Sequence, residues 1–214
     1  MRDLFDRIHE NKGPLGKWAS QAEGYFVFPK LEGELGPRMK FQGKDILNWS
    51  LNDYLGLAKN QSLANQIEAD FNLLKPNFQA INGSTGSRLI SGHSRLFEQF
   101  EKKCAVFHQS EASLLFSGGY DANVGLLSSI TQQGQVVFCD QLLHASLIDG
   151  LRLSKAERKI FAHNDLADLE NLLREYPLET PKWIVVESVY SMDGDMAPLL
   201  ELVHLKNKYQ NHLI

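Results

Sequence analysis

From residue 113 onward, short apolar runs alternate with runs of helical spacing, and this alternation leaves few folds open to the chain. SLLFS (113–117) reads as a buried strand, followed by a glycine turn and the helix-like DANVGLLSSI. QVVFCD (135–140) is a second strand and HASLIDGLRLS a helix. RKIFAH (158–163) and DLADLENLLRE repeat the pair, and KWIVVES (182–188), rich in β-branched and aromatic residues, is the clearest strand. Strands and helices at this spacing predict an α/β fold, with a mainly parallel sheet covered by helices on both faces. Pro198 suits the first turn of a further helix, where its missing N–H costs nothing, and Leu199, Leu202, Val203 and Leu205 give that helix an apolar side. Asn211 is expected to end it, and His212–Leu213–Ile214 to begin another strand. A sheet strand cut at its start leaves an edge without a partner. The sequence is therefore expected to be the front portion of a larger domain.

Upstream the pattern is looser. Residues 1–45 read as a short helix, with Leu4, Phe5 and Ile8 on one face, followed by an extended arm punctuated by Gly13, Pro14, Gly16, Gly24, Pro29, Gly33, Gly36 and Pro37. Residues 46–214 read as an incomplete large domain. Within it ILNWS is a candidate strand. Helices are expected over 62–75, through Leu63, Ile67, Phe71 and Leu74, and over 94–107, through Leu96, Phe97, Phe100, Cys104 and Phe107.

Composition narrows the function classes. With 43% hydrophobic and 22% charged residues the chain has a globular profile. A formal net charge of -4 argues against a nucleic-acid partner, since phosphate backbones call for a basic surface. The start, MRDLFDRIHENKG, has no apolar core of a signal peptide, and no stretch has the length of a membrane span. Cys104 and Cys139 both lie among apolar neighbours and suit a reducing compartment, so the expected location is the cytoplasm.

Four places carry groups suited to chemistry. Ser117–Gly118–Gly119–Tyr120 sits between a strand and a helix, where backbone N–H groups and the helix dipole favour a phosphate. A tight turn without a ligand would read the same. Gly83–Ser84–Thr85–Gly86–Ser87–Arg88, with Ser91–Gly92–His93, combines hydroxyls and a guanidinium and suits an anion, or a plain connector. His144 follows the strand QVVFCD, where α/β sheets bind ligands, and suits stacking, proton exchange or simple capping. Glu187 to Asp195 follows another strand, and its carboxylates admit a polar site loop or a metal-dependent hydrolase using Glu187, Asp193 and Asp195. The spacing does not match a calcium loop, and no metal is expected. Three of the four fall at carboxyl ends of parallel strands, which share one edge, so a phosphate-bearing ligand with a flat portion is implied.

Asn52–Asp53–Tyr54–Leu55–Gly56–Leu57, GSTGSRLISGH, LLFSGGYDAN, DQLLHASLIDG, FAHND and ESVYSMDGD occur in this order. The ordered set resembles the α-oxoamine synthases, fold-type-I pyridoxal-phosphate enzymes, from about Ile46 to Ile214. The subfamily it looks most like is the biotin-pathway 8-amino-7-oxononanoate synthases. Members resembling glycine C-acetyltransferase or serine palmitoyltransferase are the alternatives. So is a non-catalytic fragment that serves as an interaction partner.

The resemblance implies a partial large domain of the fold-type-I transferase fold, pyridoxal 5'-phosphate as cofactor, and a homodimer. It implies condensation of an amino acid with an acyl thioester, on CoA or a carrier protein, with loss of CO2. Residue by residue, Gly119 and Tyr120 match the pair at the cofactor phosphate, and His144 the histidine stacked on the pyridine ring. Ser191 matches a serine near the phenolic oxygen, Glu187 an acid beneath the cofactor, Asn52 a substrate-side asparagine, and Ser87 a hydroxyl that reaches the phosphate from a neighbouring subunit. The family's DEAH-like motif, its threonine and its Schiff-base lysine would follow Ile214, and Lys155, Lys159, Lys182, Lys206 and Lys208 stand in no matching motif. The 214 residues alone are therefore expected not to bind the cofactor covalently and to be inactive.

Overall fold

Where it is described, the glycine- and proline-rich stretch read as an arm carries a small sheet. The computed structural model describes residues 30–74 and 86–214. The helix expected at Leu4, Phe5 and Ile8, and Gly83–Ser84–Thr85, lie outside these residues. Strands β1 (Leu31–Glu32), β2 (Arg38–Phe41) and β3 (Lys44–Leu47) form an antiparallel sheet in that order. Phe41 faces Lys44 across a two-residue turn, and Gln42 and Gly43 both have positive φ, 50° and 74°. Positive φ at both central residues is what a tight hairpin demands, because its backbone twist then matches that of the strands. The expected strand ILNWS is shorter than anticipated, since β3 ends at Leu47. A 3-10 turn (Leu57–Lys59) precedes α1 (Gln61–Leu74). This helix forms where the spacing predicts, yet it buries none of its residues.

The chain divides into two compact units, Met1–Thr85 and Gly86–Ile214. The second begins with α2 (Arg88–Ser91) and α3 (Arg95–Phe107). Ser94 caps α3, its hydroxyl accepting from the Phe97 N–H. Beyond α4 (Gly119–Ile130) the alternation is regular: β4 (Val136–Asp140), α5 (Ala145–Leu153), β5 (Glu157–Phe161), α6 (Leu166–Arg174), β6 (Lys182–Val185), α7 (Leu199–Lys208) and β7 (His212–Leu213). The four strands are parallel, in the order β5-β4-β6-β7. All five residues of β4 are buried, which accounts for its unbroken apolar run: a central parallel strand meets protein on both faces. Around it pack Leu127 of α4, Leu147 and Leu151 of α5, Leu169 and Leu173 of α6, Ile184 and Val185 of β6, and Leu202 of α7. Burial pushes the Cys139 thiol up to about 11, as suits an inert core cysteine.

Register fixes where the strands end. Asp140 lies beside Phe161, and Cys139 beside Val185, so the segments after β4, β5 and β6 emerge along one edge. α7 is capped by Pro198, one position before the first turn that the sequence suggested. It ends at Lys208, and Gln210 takes a positive φ of 50° before the buried Asn211.

One expectation fails. SLLFS is not a strand: no residue of 113–117 joins a sheet, and Leu114 is 64% exposed. Side chains hold its backbone instead. Glu101 accepts from the Leu115 N–H at 2.8 Å, Arg88 donates to the Leu115 carbonyl at 3.3 Å, and the Ser113 hydroxyl donates to the Glu101 carbonyl at 2.6 Å. An apolar run becomes a strand only beside another backbone that answers its N–H and C=O groups, and among the described residues this one has none.

Candidate functional site

The glycines of Ser117–Tyr120 make an open helix start. Gly118 caps α4 with an extended backbone and no side-chain hydrogen bond, so the first-turn N–H groups lack the usual internal acceptor. A Cβ built on Gly119 would meet nothing within 4 Å. The Ser117 hydroxyl donates to Asp121 at 2.9 Å, drawing both side chains together beside the turn. Free N–H groups at a helix N-terminus, with space before them, suit a phosphate.

Tyr120 projects from this turn toward α5. Its hydroxyl donates to Asp149, whose other oxygen takes Arg152 at 2.9 Å. The hydrogen bond to Asp149 raises the Tyr120 pKa, and the same bond lowers that of Asp149. The Tyr120 ring meets the His144 ring edge-on, with centroids 6.4 Å apart.

His144 is the N-cap of α5. Its Nδ1 accepts from the Ser146 N–H at 3.2 Å and from the Ser146 hydroxyl at 2.7 Å. That hydroxyl accepts in turn from Asn123 of α4 at 2.9 Å. With Nδ1 accepting, the ring proton resides on Nε2, and the ring is fixed from its Nδ1 side while the residue stays exposed. Close contact between α4 and α5 makes this possible. At Gly150 a Cβ would stand 2.9 Å from the Asn123 carbonyl and 3.0 Å from Leu127. Glu187, just beyond β6, accepts from the backbone N–H of His144. The cap and the segment after β6 are thereby tied together.

Gly119, Tyr120, His144 and Glu187 thus come together at one edge of the sheet. Ser191 opens the tip of a tight hairpin. Val189 and Met196 bridge its base, the Tyr190 N–H donates to the Asp195 carbonyl at 2.9 Å, and Gly194 takes a φ of 76°. Ser87 caps α2, its hydroxyl accepting from the Ile90 N–H at 3.4 Å. Asn52 lies in the first unit, where its amide oxygen accepts from the Tyr54 hydroxyl at 3.5 Å. Arg88, read as an anion-binding guanidinium, is engaged by Glu101 through bonds of 2.8 and 3.0 Å. The three carboxylates weighed for a metal take separate roles. Glu187 holds the His144 amide, Asp195 accepts from His163, and Asp193 is exposed. Among the described residues no three His, Cys, Asp or Glu side chains gather as a metal would require.

Sequence reasoning assigned no role to Asp140, His163 and Asn164. Asp140 ends β4 and is buried. Its carboxylate accepts from His163 Nδ1 at 2.8 Å, the Asn164 N–H at 2.9 Å and the Leu142 N–H at 2.8 Å. His163 Nε2 reaches Asp195 at 2.7 Å, and the His163 ring packs edge-on against Tyr190 with centroids 4.5 Å apart. The signal available was position: His163 follows β5 as His144 follows β4.

Comparison with known proteins gives this arrangement a setting. Residues 44–214 match the family model described as aminotransferase class I and II. The cysteate-C-fatty acyltransferase of Capnocytophaga ochracea is 42% identical over 100% of this chain and 51% of its own length. The 8-amino-7-oxononanoate synthase 2 of Bacillus subtilis is 44% identical over 86% of this chain and 46% of its own length. Among solved structures, a serine palmitoyltransferase from S. paucimobilis with a bound PLP–myriocin aldimine superposes with a TM-score of 0.79 at 30% identity, covering 99% of this chain and 52% of that one. The chain spans about half the length of the relatives it matches.

Proposed function

The chain belongs to the class I and II aminotransferase family, and from that premise we propose that it forms the phosphate- and ring-binding side of a pyridoxal-phosphate-dependent C-acyltransferase. The whole protein would condense an amino acid with an acyl thioester, on CoA or a carrier protein, with loss of CO2, in the cytoplasm and as a homodimer. The observation that carries the reading is the convergence of an open helix start, an anchored imidazole and a buttressing carboxylate on one sheet edge.

These residues fit the cofactor. The N–H groups of Gly119 and Tyr120 would take its phosphate, where the α4 dipole adds to the attraction. The His144 ring would lie on the flat pyridine, since its Nδ1 is fixed and its position is exposed. Pyridoxal phosphate, when bound, supplies an electron sink for the bond broken at the amino-acid Cα. The contribution of this chain is placement. His144 is held from two sides, by Ser146 at the ring and Glu187 at the backbone, so a flat ligand meets a surface set beforehand. Ser191 would reach the phenolic oxygen, Asn52 the substrate carboxylate, and Ser87 the phosphate of a second subunit. None of Lys155, Lys159, Lys182, Lys206 and Lys208 is assigned as the lysine for covalent attachment. Lys159 pairs with Glu157 and Lys208 with Glu170, and the buried Lys182 gives its ammonium to the Pro177, Leu178 and Thr180 carbonyls.

Two substrate pairs follow from the relatives. The motif pattern favours alanine with a pimeloyl thioester, the 8-amino-7-oxononanoate synthase reaction. The relative matched over the whole chain, including residues 1–43, is named for cysteate and a fatty acyl group, and this favours a sulfonated amino acid with a long-chain thioester. Purified full-length protein titrated with pyridoxal phosphate is expected to develop a visible absorption band, and His144→Ala to weaken binding roughly tenfold or more. CO2 release is then measured with each substrate pair. Absence of the band and of CO2 with every pair would refute the proposal.

A further inference from the structure

His163 lies outside the group of side chains placed at the cofactor, yet it joins the two segments that carry them. The turn after β4 bears His144, and the segment after β6 bears Glu187 and then, in its hairpin, Ser191. Asp140 stands at the root of the first and Asp195 at the base of the second. His163 enters from the segment after β5 and bonds to both, at 2.8 and 2.7 Å. Asn164 doubles the link, its backbone N–H on Asp140 and its side-chain amide on Asp195 at 2.8 Å. In the strand order β5-β4-β6 the segment after β5 reaches past the end of β4 to the loop after β6.

We propose that His163 is a positioning residue: bridging Asp140 and Asp195, it locks the Val189–Met196 hairpin to the end of β4 and so holds Glu187, just before that hairpin, on the backbone of His144. Both ring nitrogens face carboxylates, an arrangement that favours the doubly protonated imidazolium, which donates to each. The charged groups facing it are Asp140 from β4 and Asp195 from the hairpin, and Tyr190 packs on it with a hydroxyl that burial keeps protonated. Asp140 first, then Asp195, raises the His163 pKa above its ordinary 6.5 against the opposing effect of burial. The clamp is therefore closed below that raised value. As pH climbs through it, one of the two bonds to carboxylate loses its proton and the hairpin is released.

The assignment rests on the proposed function only for what the hairpin serves, and its test does not need the cofactor. Amide hydrogen exchange is measured in full-length wild type, His163→Gln and Asp195→Asn. Both substitutions are expected to speed exchange roughly tenfold or more at His144, Tyr190 and Gly194, while amides of β4 and β6 keep wild-type protection. Asp195→Asn removes one partner and leaves His163 on Asp140, so it serves if the other variant folds poorly. In wild type, protection at His144 should fall as pH rises through the titration of His163, and His163→Gln should show no such step. Unchanged exchange at His144, or a loss spread equally through β4 and β6, overturns the proposal. Pyridoxal phosphate affinity is read in parallel. If wild type fails to bind it, the functional reading falls, and the exchange data still decide the clamp.

Discussion

Two five-residue runs, Ser113–Ser117 and Val136–Cys139 with Asp140, look alike as sequence: each is mostly apolar and each precedes a turn and a helix. The second is the centre of the sheet, with Phe138 fully buried between β5 and β6. The first lies unpaired among the described residues, with Leu114 exposed and its backbone held by Glu101 and Arg88. Apolar composition marks a run as able to be a strand, and neighbours on either side make it one. The same contrast governs the site. Gly118–Tyr120 follows the unpaired run and is placed by packing of α4 on α5, whereas His144 and Glu187 are placed by the register of β4 and β6.

Truncating a side chain in each run separates the two most strongly. Phe138→Ala should cost about 3–5 kcal/mol in urea unfolding, because it removes a large side chain from a closed core. Leu114→Ala should stay within about 0.5 kcal/mol, as for surface changes generally. Similar losses at the two positions would mean that the first run is buried in solution. Gly150→Ala probes the α4–α5 crossing that places Tyr120 and His144. Backbone at 2.9 Å and 3.2 Å cannot yield as a flexible side chain can, so a cost of about 1–3 kcal/mol is expected in the same measurement.

A change of pH should touch only the part placed by strand register. Its His163 has a raised pKa, so the stabilisation it brings is complete below 6.5 and is lost as pH rises through the raised value. Asp195 has a pKa lowered by His163, so its stabilisation is present above 3.8 and is lost as pH falls through the lowered value. The melting-temperature gap between wild type and His163→Gln should thus be widest between pH 3.8 and 6.5 and close on both sides. A gap independent of pH would show that charge plays no part. The smallest effect is expected from Glu101→Gln. It should quicken exchange of the Leu115 amide while leaving β4 and the Tyr190 amide untouched, because Glu101 ties the unpaired run to Arg88 and bonds to neither β4 nor the hairpin.

Much of the second unit was legible in the sequence. QVVFCD, RKIFAH and KWIVVES became β4, β5 and β6, and the helices between them fell where the spacing placed them. Their patterns are local, and burial on one or both faces is written into each run. The sheet of Leu31–Leu47 escaped notice because its strands are two to four residues long and its glycines read as linker. The functional edge was legible in part. That His144 and Glu187 follow strands is a local fact, and a parallel sheet then brings strand ends together.

Residue order alone specified the alternation, the central strand, the glycine-rich helix start and the family to which 44–214 belongs. It did so because each depends on residue types at fixed short spacing. Three outcomes came from the folded arrangement alone: SLLFS has no strand partner among the described residues, Arg88 is bound to Glu101, and His163 spans Asp140 and Asp195 across 23 and 32 positions of chain. Those outcomes depend on which backbones come to lie side by side, a property of strand order and register that no short window of residues contains.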